Sequence, residues 1–183
     1  MLGSLMADFL RGGVDPALPR GVRAGIALHR SVDRYTDAHA EVAQARALFR
    51  PPMRRYAGIL LDIWFDHLLA RDWARFGVGS LGEFSDRVRE LLQRRIEEQP
   101  QRMRGFVRYL RANGLPAAYR DRAMIDDVLR GVSARLSRPN PIAHALPLLE
   151  EAAPPLERHF EVFFPQLQAW AEGERERLQA LIR

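Results

Sequence analysis

Residues 56–73 read YAGILLDIWFDHLLARDW, a stretch in which apolar side chains fall on every side of a helical axis. Apolar and polar positions do not alternate, so the stretch lacks the pattern of a half-buried strand. A helix that is apolar all round is normally buried. We therefore expect a helix from Tyr56 to Trp73 inside an all-α fold.

Helical spacing of apolar residues continues on both sides of this segment, and glycine or proline separates the predicted helices. Ser80 and Glu83 have the spacing of a capping box at the start of one helix. The length of 183 residues suits one core, so we predict a single-domain helical bundle over residues 1–183. The remaining helices are predicted at residues 2–10, 19–37, 40–49, 81–98, 103–113, 120–135 and 157–183, with Pro154 and Pro155 in a connection.

The sequence contains neither cysteine nor lysine. Without cysteine, disulfides, thiol nucleophiles and thiolate metal sites are excluded, and any metal must be bound by oxygen and imidazole nitrogen. All 28 basic residues are arginine, and the formal net charge is +5. Because arginine binds phosphates and carboxylates well, an acidic partner is indicated, either nucleic acid or an acidic protein. Genomic base composition is the alternative explanation for the arginine content.

The first residues, MLGSLMADFLRGG, are amphipathic and include an acid, unlike a secretory signal. The apolar run from Gly58 to Leu61 ends at Asp62, far short of the roughly 20 residues of a membrane span. We expect a cytoplasmic protein with no membrane partner.

Three ionisable residues interrupt the apolar helix: Asp62, Asp66 and His67. Asp62 and Asp66 are four residues apart and share a helix face, where two carboxylates repel each other unless a cation or proton lies between them. Burying an uncompensated carboxylate costs several kcal/mol. Two explanations have equal weight: a divalent metal, or pairing with Arg71 or Arg55.

A second group of ionisable residues lies on the helix predicted at residues 19–37. Val22, Ile26, His29 and Asp33 follow one helical stripe, so the apolar side continues into an imidazole and a carboxylate. A lone histidine there is usually a core residue, but His29 with Asp33 one turn later is typical of a ligand or a base with its orienting partner. Asp8 alone reads as a surface charge. Together these oxygen and nitrogen groups suit Mn²⁺ first, with Mg²⁺ or Fe²⁺ as alternatives.

Four segments resemble, in order and spacing, the acyl carrier protein phosphodiesterases: GSLMADFLRG, GIALHRSVDRYTDAHAEV, LLDIWFDHLLARDW and MIDDVLRGVSAR. The resemblance covers nearly the whole chain. It implies an all-helical fold related to the HD-type metal-dependent phosphohydrolases. It also implies hydrolysis of the phosphodiester that links 4′-phosphopantetheine to the serine of holo acyl carrier protein, which gives the apo protein.

The resemblance implies roles for particular residues. The expected metal ligands lie in the MADF and D-x-x-x-D-H segments and are Asp8, Asp62, Asp66 and His67. The expected catalytic residues lie in the HR-x-x-D segment: His29 as acid or base, Asp33 orienting it, and Arg30 on the phosphate. The family usually begins with a Met-Asn-aromatic-Leu-Ala-His segment that is absent here, so an incomplete or weakened site is expected.

Acyl carrier proteins are acidic, which fits an arginine-rich enzyme. The predicted docking surface is formed by Arg87, Arg89, Arg94 and Arg95. The alternatives are an HD-type phosphohydrolase acting on nucleotides and an arginine-rich nucleic-acid binder. The sequence has no glycine-rich phosphate loop, and its aromatic residues fall in apolar stripes and not on an exposed face, so nucleic acid is the less favoured partner.

Overall fold

The computed structural model describes residues 1–182, which form α- and 3₁₀-helices and contain no β-strand. The all-α class predicted from the sequence is therefore confirmed. Single 3₁₀ turns separate several of the helices, and one of them, Ala7–Phe9, follows the first helix directly. The α-helices in chain order are α1 Leu2–Met6, α2 Arg20–Ala38, α3 Ala40–Ala47, α4 Ala57–Arg71, α5 Trp73–Phe76, α6 Leu81–Arg94, α7 Met103–Ala112, α8 Arg122–Arg135, α9 Leu146–Glu151 and α10 Ala153–Leu181.

Capping residues and prolines explain where α6 and α10 begin. Ser80 and Glu83 form the predicted capping box at α6: the Ser80 hydroxyl accepts from the Glu83 N–H, and the Ser80 N–H donates to Glu83 Oε2, each over 3.1 Å. One predicted boundary is wrong, because Pro154 and Pro155 lie in the first turn of α10. Proline fits there since the first N–H groups of a helix have no acceptor within the helix.

The residues group into two compact units, each built from separate stretches of chain. The first unit contains residues 1–38, 86–113 and the segment that begins at Phe164. The second unit contains residues 39–85 and 114–163. No helix within residues 1–182 is long and apolar enough to cross a membrane.

In the first unit, α1 crosses α2 with two glycines at the contact. A Cβ added to Gly3 would lie 2.1 Å from the carbonyl oxygen of Val22, and one added to Gly25 would lie 3.0 Å from the Cα of Gly3. The Ser4 hydroxyl donates to the Gly25 carbonyl over 3.2 Å. The absence of side chains therefore lets the two backbones meet, and this contact sets the position of the turn Ala7–Phe9.

In the second unit, α4 is buried on most of its surface but not on all of it. Leu60, Trp64 and Leu68 are fully buried. Asp62 and Asp66, however, are exposed on one narrow edge, because residues spaced by four fall on the same line along a helix. The expectation that these two carboxylates are buried is therefore wrong, and burial alone does not require a metal to compensate them.

Candidate active site

Three ionisable side chains of the first unit meet beside the crossing of α1 and α2. The Nε2 atom of His29 lies 3.0 Å from Asp8 Oδ1 and 3.4 Å from Asp33 Oδ2. One ligand atom from each residue lies within 4.8 Å of the other two. Asp8, His29 and Asp33 thus form a compact set of two carboxylate oxygens and one imidazole nitrogen, which we call the Asp8 cluster.

The positions of these side chains follow from the local structure. His29 and Asp33 are one turn apart on α2 and therefore point the same way. Asp8 lies on the 3₁₀ turn Ala7–Phe9, which the glycine contact between α1 and α2 holds in place. The side chains of Asp8 and Asp33 are 69% and 56% exposed and that of His29 is 25% exposed, so the cluster is open to a ligand from solvent.

The two carboxylates of the Asp8 cluster have different proton affinities. The hydrogen bond from His29 is the main cause that lowers the pKa of Asp8. Loss of hydration is the main cause that raises the pKa of Asp33, and attraction to His29 opposes it. Asp8 is thus the more persistent anion, and Asp33 accepts a proton more readily.

Arg30, predicted to bind the phosphate, has its guanidinium on backbone carbonyls. Its Nη1 donates to the Gly12 carbonyl over 2.9 Å, and its Nη2 donates to the Leu10 carbonyl over 3.3 Å. These bonds hold the segment that follows Asp8. In this structure Arg30 therefore positions the loop next to the cluster, and its role on the phosphate stays a prediction.

His67 lies in the second unit and is buried, with a relative exposure of 2%. Its Nδ1 lies 2.8 Å from the Tyr119 carbonyl oxygen, and a carbonyl only accepts, so Nδ1 carries the proton. Nε2 is buried without a hydrogen-bond partner among residues 1–182. Burial lowers the pKa of His67, which favours the neutral ring. The predicted ligand is thus neutral and has a lone pair available on Nε2.

Asp62 and Asp66 lie on the exposed edge of α4, and Arg71, one of the two arginines considered as their partner, is engaged elsewhere. Arg71 donates to Asp72 and to Glu157, each over 2.7 Å. The side chain of Asp66 reaches solvent, but it lies in dense protein surroundings. Loss of hydration, with repulsion from Asp62, raises the pKa of Asp66 to about 7.

The residues of the D-x-x-x-D-H segment do not all meet. Within the described part of the chain, the Asp8 cluster is the group of three or more possible metal ligands. Asp62, Asp66 and His67 do not form such a group, because the two aspartates lie on the exposed edge of α4 whereas His67 lies in its buried side. Their role as metal ligands stays a prediction.

The raised pKa of Asp66 predicts a pH-dependent gain in stability for Asp66→Asn. The folded-state pKa is about 7 and the unfolded value is near 4, so ionisation destabilises the fold progressively from pH 4 to 7 and fully above pH 7. The unscreened shift corresponds to about 4 kcal/mol, which solvent access reduces to about 1 kcal/mol. The expected gain in Tm, measured in chelator, is about 2–4 °C at pH 8 and close to zero near pH 4.

Asp127→Asn is the matched control, since Asp127 is exposed on α8. It should leave Tm unchanged at both pH values. An Asp66→Asn gain of equal size at pH 4 and pH 8, or a loss at pH 8, would show that repulsion and poor hydration of the Asp66 carboxylate are not what limits stability.

The surface predicted to dock an acidic partner is largely neutralised within α6 and the turn that follows it. Arg89 pairs with Asp86 over 2.5 Å, and Arg94 pairs with Glu90 over 2.5 Å. Arg95 pairs with Glu98. Of the four predicted arginines, Arg87 is exposed and has no ion pair within the described part of the chain. This face therefore offers less free positive charge than its sequence suggests.

A sequence model of the acyl carrier protein phosphodiesterase family matches residues 1–167. Proteins named acyl carrier protein phosphodiesterase from Escherichia coli O6:H1 (strain CFT073) and from E. coli strain K12 / DH10B are each 35% identical to this chain over 170 residues. The aligned region is 92% of this chain and 88% of each relative. No solved structure matches the chain.

Proposed function

Because this chain belongs to the acyl carrier protein phosphodiesterase family, we propose that it hydrolyses the phosphodiester between 4′-phosphopantetheine and the serine of holo acyl carrier protein. The products are the apo protein and free 4′-phosphopantetheine. The observation that supports this proposal is the Asp8 cluster, which lies inside the matched region and is open to solvent.

The Asp8 cluster also fits a divalent metal. Two carboxylate oxygens and one imidazole nitrogen, all within 4.8 Å of one another, are the ligand types that Mn²⁺ prefers, with Mg²⁺ and Fe²⁺ as alternatives. We propose that Asp8, His29 and Asp33 hold the ion. Such an ion would supply polarisation of the phosphoryl group. The metal-binding role predicted from the sequence for Asp62, Asp66 and His67 stays a prediction.

Side chains of the protein would bind the ion, accept the proton of the attacking water and position the adjacent loop. Asp8 has a lowered pKa and stays anionic, which suits it to hold the ion beside His29 Nε2, 3.0 Å away. The Oδ2 atom of Asp33 faces His29, and its other oxygen would take a proton from the attacking water. Arg30 keeps the Leu10–Gly12 backbone beside the cluster. The serine oxygen leaves with a proton, and the phosphate stays on pantetheine.

The direct test follows the mass of holo acyl carrier protein incubated with this protein and Mn²⁺. We expect conversion to the apo form, detected by intact-protein mass spectrometry, and no conversion when a chelator removes the ion. Conversion that continues in chelator would contradict the metal proposal alone. No conversion, together with phosphate release from nucleotides, would favour the HD-type nucleotide phosphohydrolase.

A further inference from the structure

Helix α7 and the residues on either side of it carry positive charge only. From Gln99 to Arg120 the sequence contains five arginines and no acidic residue. Arg104, Arg108 and Arg111 are spaced by four and three, so they lie on one face of the helix, and all three are exposed. We call this exposed surface the arginine face of α7. Its opposite side is anchored by three buried apolar residues, Met103, Val107 and Leu110.

The arginines of α7 differ from those of α6, α8 and α10 because no acidic side chain of their own helix pairs with them. On α6, Arg94 pairs with Glu90; on α8, Arg130 pairs with Asp126; and on α10, Arg177 pairs with Glu174. On α7, Arg104 and Arg108 form no ion pair with any of residues 1–182, and Arg111 donates to the neutral side chain of Gln93. Like charges four residues apart destabilise a helix slightly, so the free positive charge is kept at a small cost.

Helix α7 also packs against the turn that carries Asp8, within the first unit, through the side of the helix that faces away from its arginines. The ring of Phe106 on α7 packs against the ring of Phe9, with centroids 5.5 Å apart. Phe9 is the neighbour of Asp8 on the same 3₁₀ turn. The helix that carries the free arginines is therefore in direct contact with the segment that carries a candidate catalytic aspartate.

We infer that the arginine face of α7 docks the acidic surface of the carrier protein, in the same unit that carries the Asp8 cluster. This inference rests on the proposed function. Charge complementarity supports it, because the three exposed guanidinium groups can pair with carboxylates of an acidic partner. Nucleic acid is the poorer fit, since Phe106 packs on Phe9 and Tyr109 is partly buried, which leaves no exposed aromatic ring on this helix for base stacking.

Substitution of Gly105 can change the charge beside the arginines of α7. It is exposed between Arg104 and Arg108, and nothing lies within 4 Å of a Cβ added there. Gly105→Glu therefore places a negative charge at the edge of the arginine face, three residues before Arg108, without a clash. Glutamate also forms helix better than glycine, so loss of folding is not expected.

Docking is measured with apo acyl carrier protein, which has no phosphodiester and so reports binding without hydrolysis. At low salt we expect Arg104→Gln with Arg108→Gln to raise Kd about tenfold, and Gly105→Glu to raise it to a similar extent. Near 500 mM salt, screening should reduce the difference to about twofold or less. The matched control is Arg54→Gln with Arg138→Gln, which removes the same charge from exposed arginines elsewhere and should leave Kd unchanged.

The outcomes separate docking from catalysis. Variants of α7 that bind like the control, while the wild-type protein still converts holo carrier protein, would overturn the docking inference and leave the function intact. Salt-sensitive binding that depends on α7, without conversion, would support docking and contradict the proposed hydrolysis. Wild-type protein that binds single-stranded oligonucleotide through α7, but not the carrier protein, would overturn the inference in favour of a nucleic-acid partner.

Discussion

Asp8→Asn should lower the rate of holo acyl carrier protein hydrolysis on the order of 1,000-fold, the size expected when a charge that acts in the transition state is removed. Asparagine has the same shape and still accepts a hydrogen bond from His29. It lacks the negative charge that the proposed metal site requires at this position. Because the Asp8 side chain is 69% exposed, Tm should change by no more than about 1 °C. The measurement is a time course of conversion by intact mass beside a thermal melt.

Asp15→Asn is the control for this substitution. Asp15 is exposed in the same unit, and its Oδ1 accepts from the Ala17 N–H over 2.8 Å, a bond that asparagine can also accept. This variant should retain wild-type activity. An Asp8→Asn protein with more than about a tenth of wild-type activity would remove Asp8 from the catalytic machinery.

His29→Gln should have the second large effect, on both metal affinity and turnover. Glutamine removes the imidazole nitrogen that lies between the two carboxylates. We expect the Kd for Mn²⁺, measured by titration calorimetry, to rise about 10- to 100-fold. At saturating Mn²⁺, kcat should fall about 100-fold. Mn²⁺ binding reports on the site even in a protein that has lost activity.

His144→Gln is the matched control, because His144 is exposed in the second unit, and it should change neither quantity. An unchanged Kd for Mn²⁺ together with a reduced kcat and an altered pH profile would identify His29 as a proton-transfer residue. That result would contradict its assignment as a metal ligand.

The parts of this structure that depend on local chemistry could be predicted from the sequence. The capping box of α6 formed because a serine and a glutamate three residues apart satisfy each other's backbone groups. His29 and Asp33 came together because one turn of α2 separates them. Their meeting with Asp8 could not be predicted from spacing, because Asp8 reaches them only through the crossing of α1 and α2. Family resemblance, and not periodicity, singled out that aspartate.

Neighbouring residues explain two differences between the sequence and the structure. The apolar residues of α4 outnumber its polar ones so strongly that the sequence predicts Asp62 and Asp66 inside, although their spacing by four leaves one edge free. The sequence predicts a docking surface at Arg87, Arg89, Arg94 and Arg95, and acids within about one turn pair with three of these arginines. That docking role stays a prediction, whereas the arginines of α7 have no acidic residue near them in the sequence.

Because Gly3 and Gly25 are in contact, we expect any missense mutation at either position to reduce activity. Neither glycine carries a functional group, yet every missense mutation at either codon adds at least a Cβ. At Gly3 that atom would lie 2.1 Å from a backbone oxygen of α2, so α1 would have to move and would carry Asp8 away from His29. In a saturation screen for loss of activity, alleles at Gly3 and Gly25 should therefore be recovered alongside those of the acidic and histidine residues.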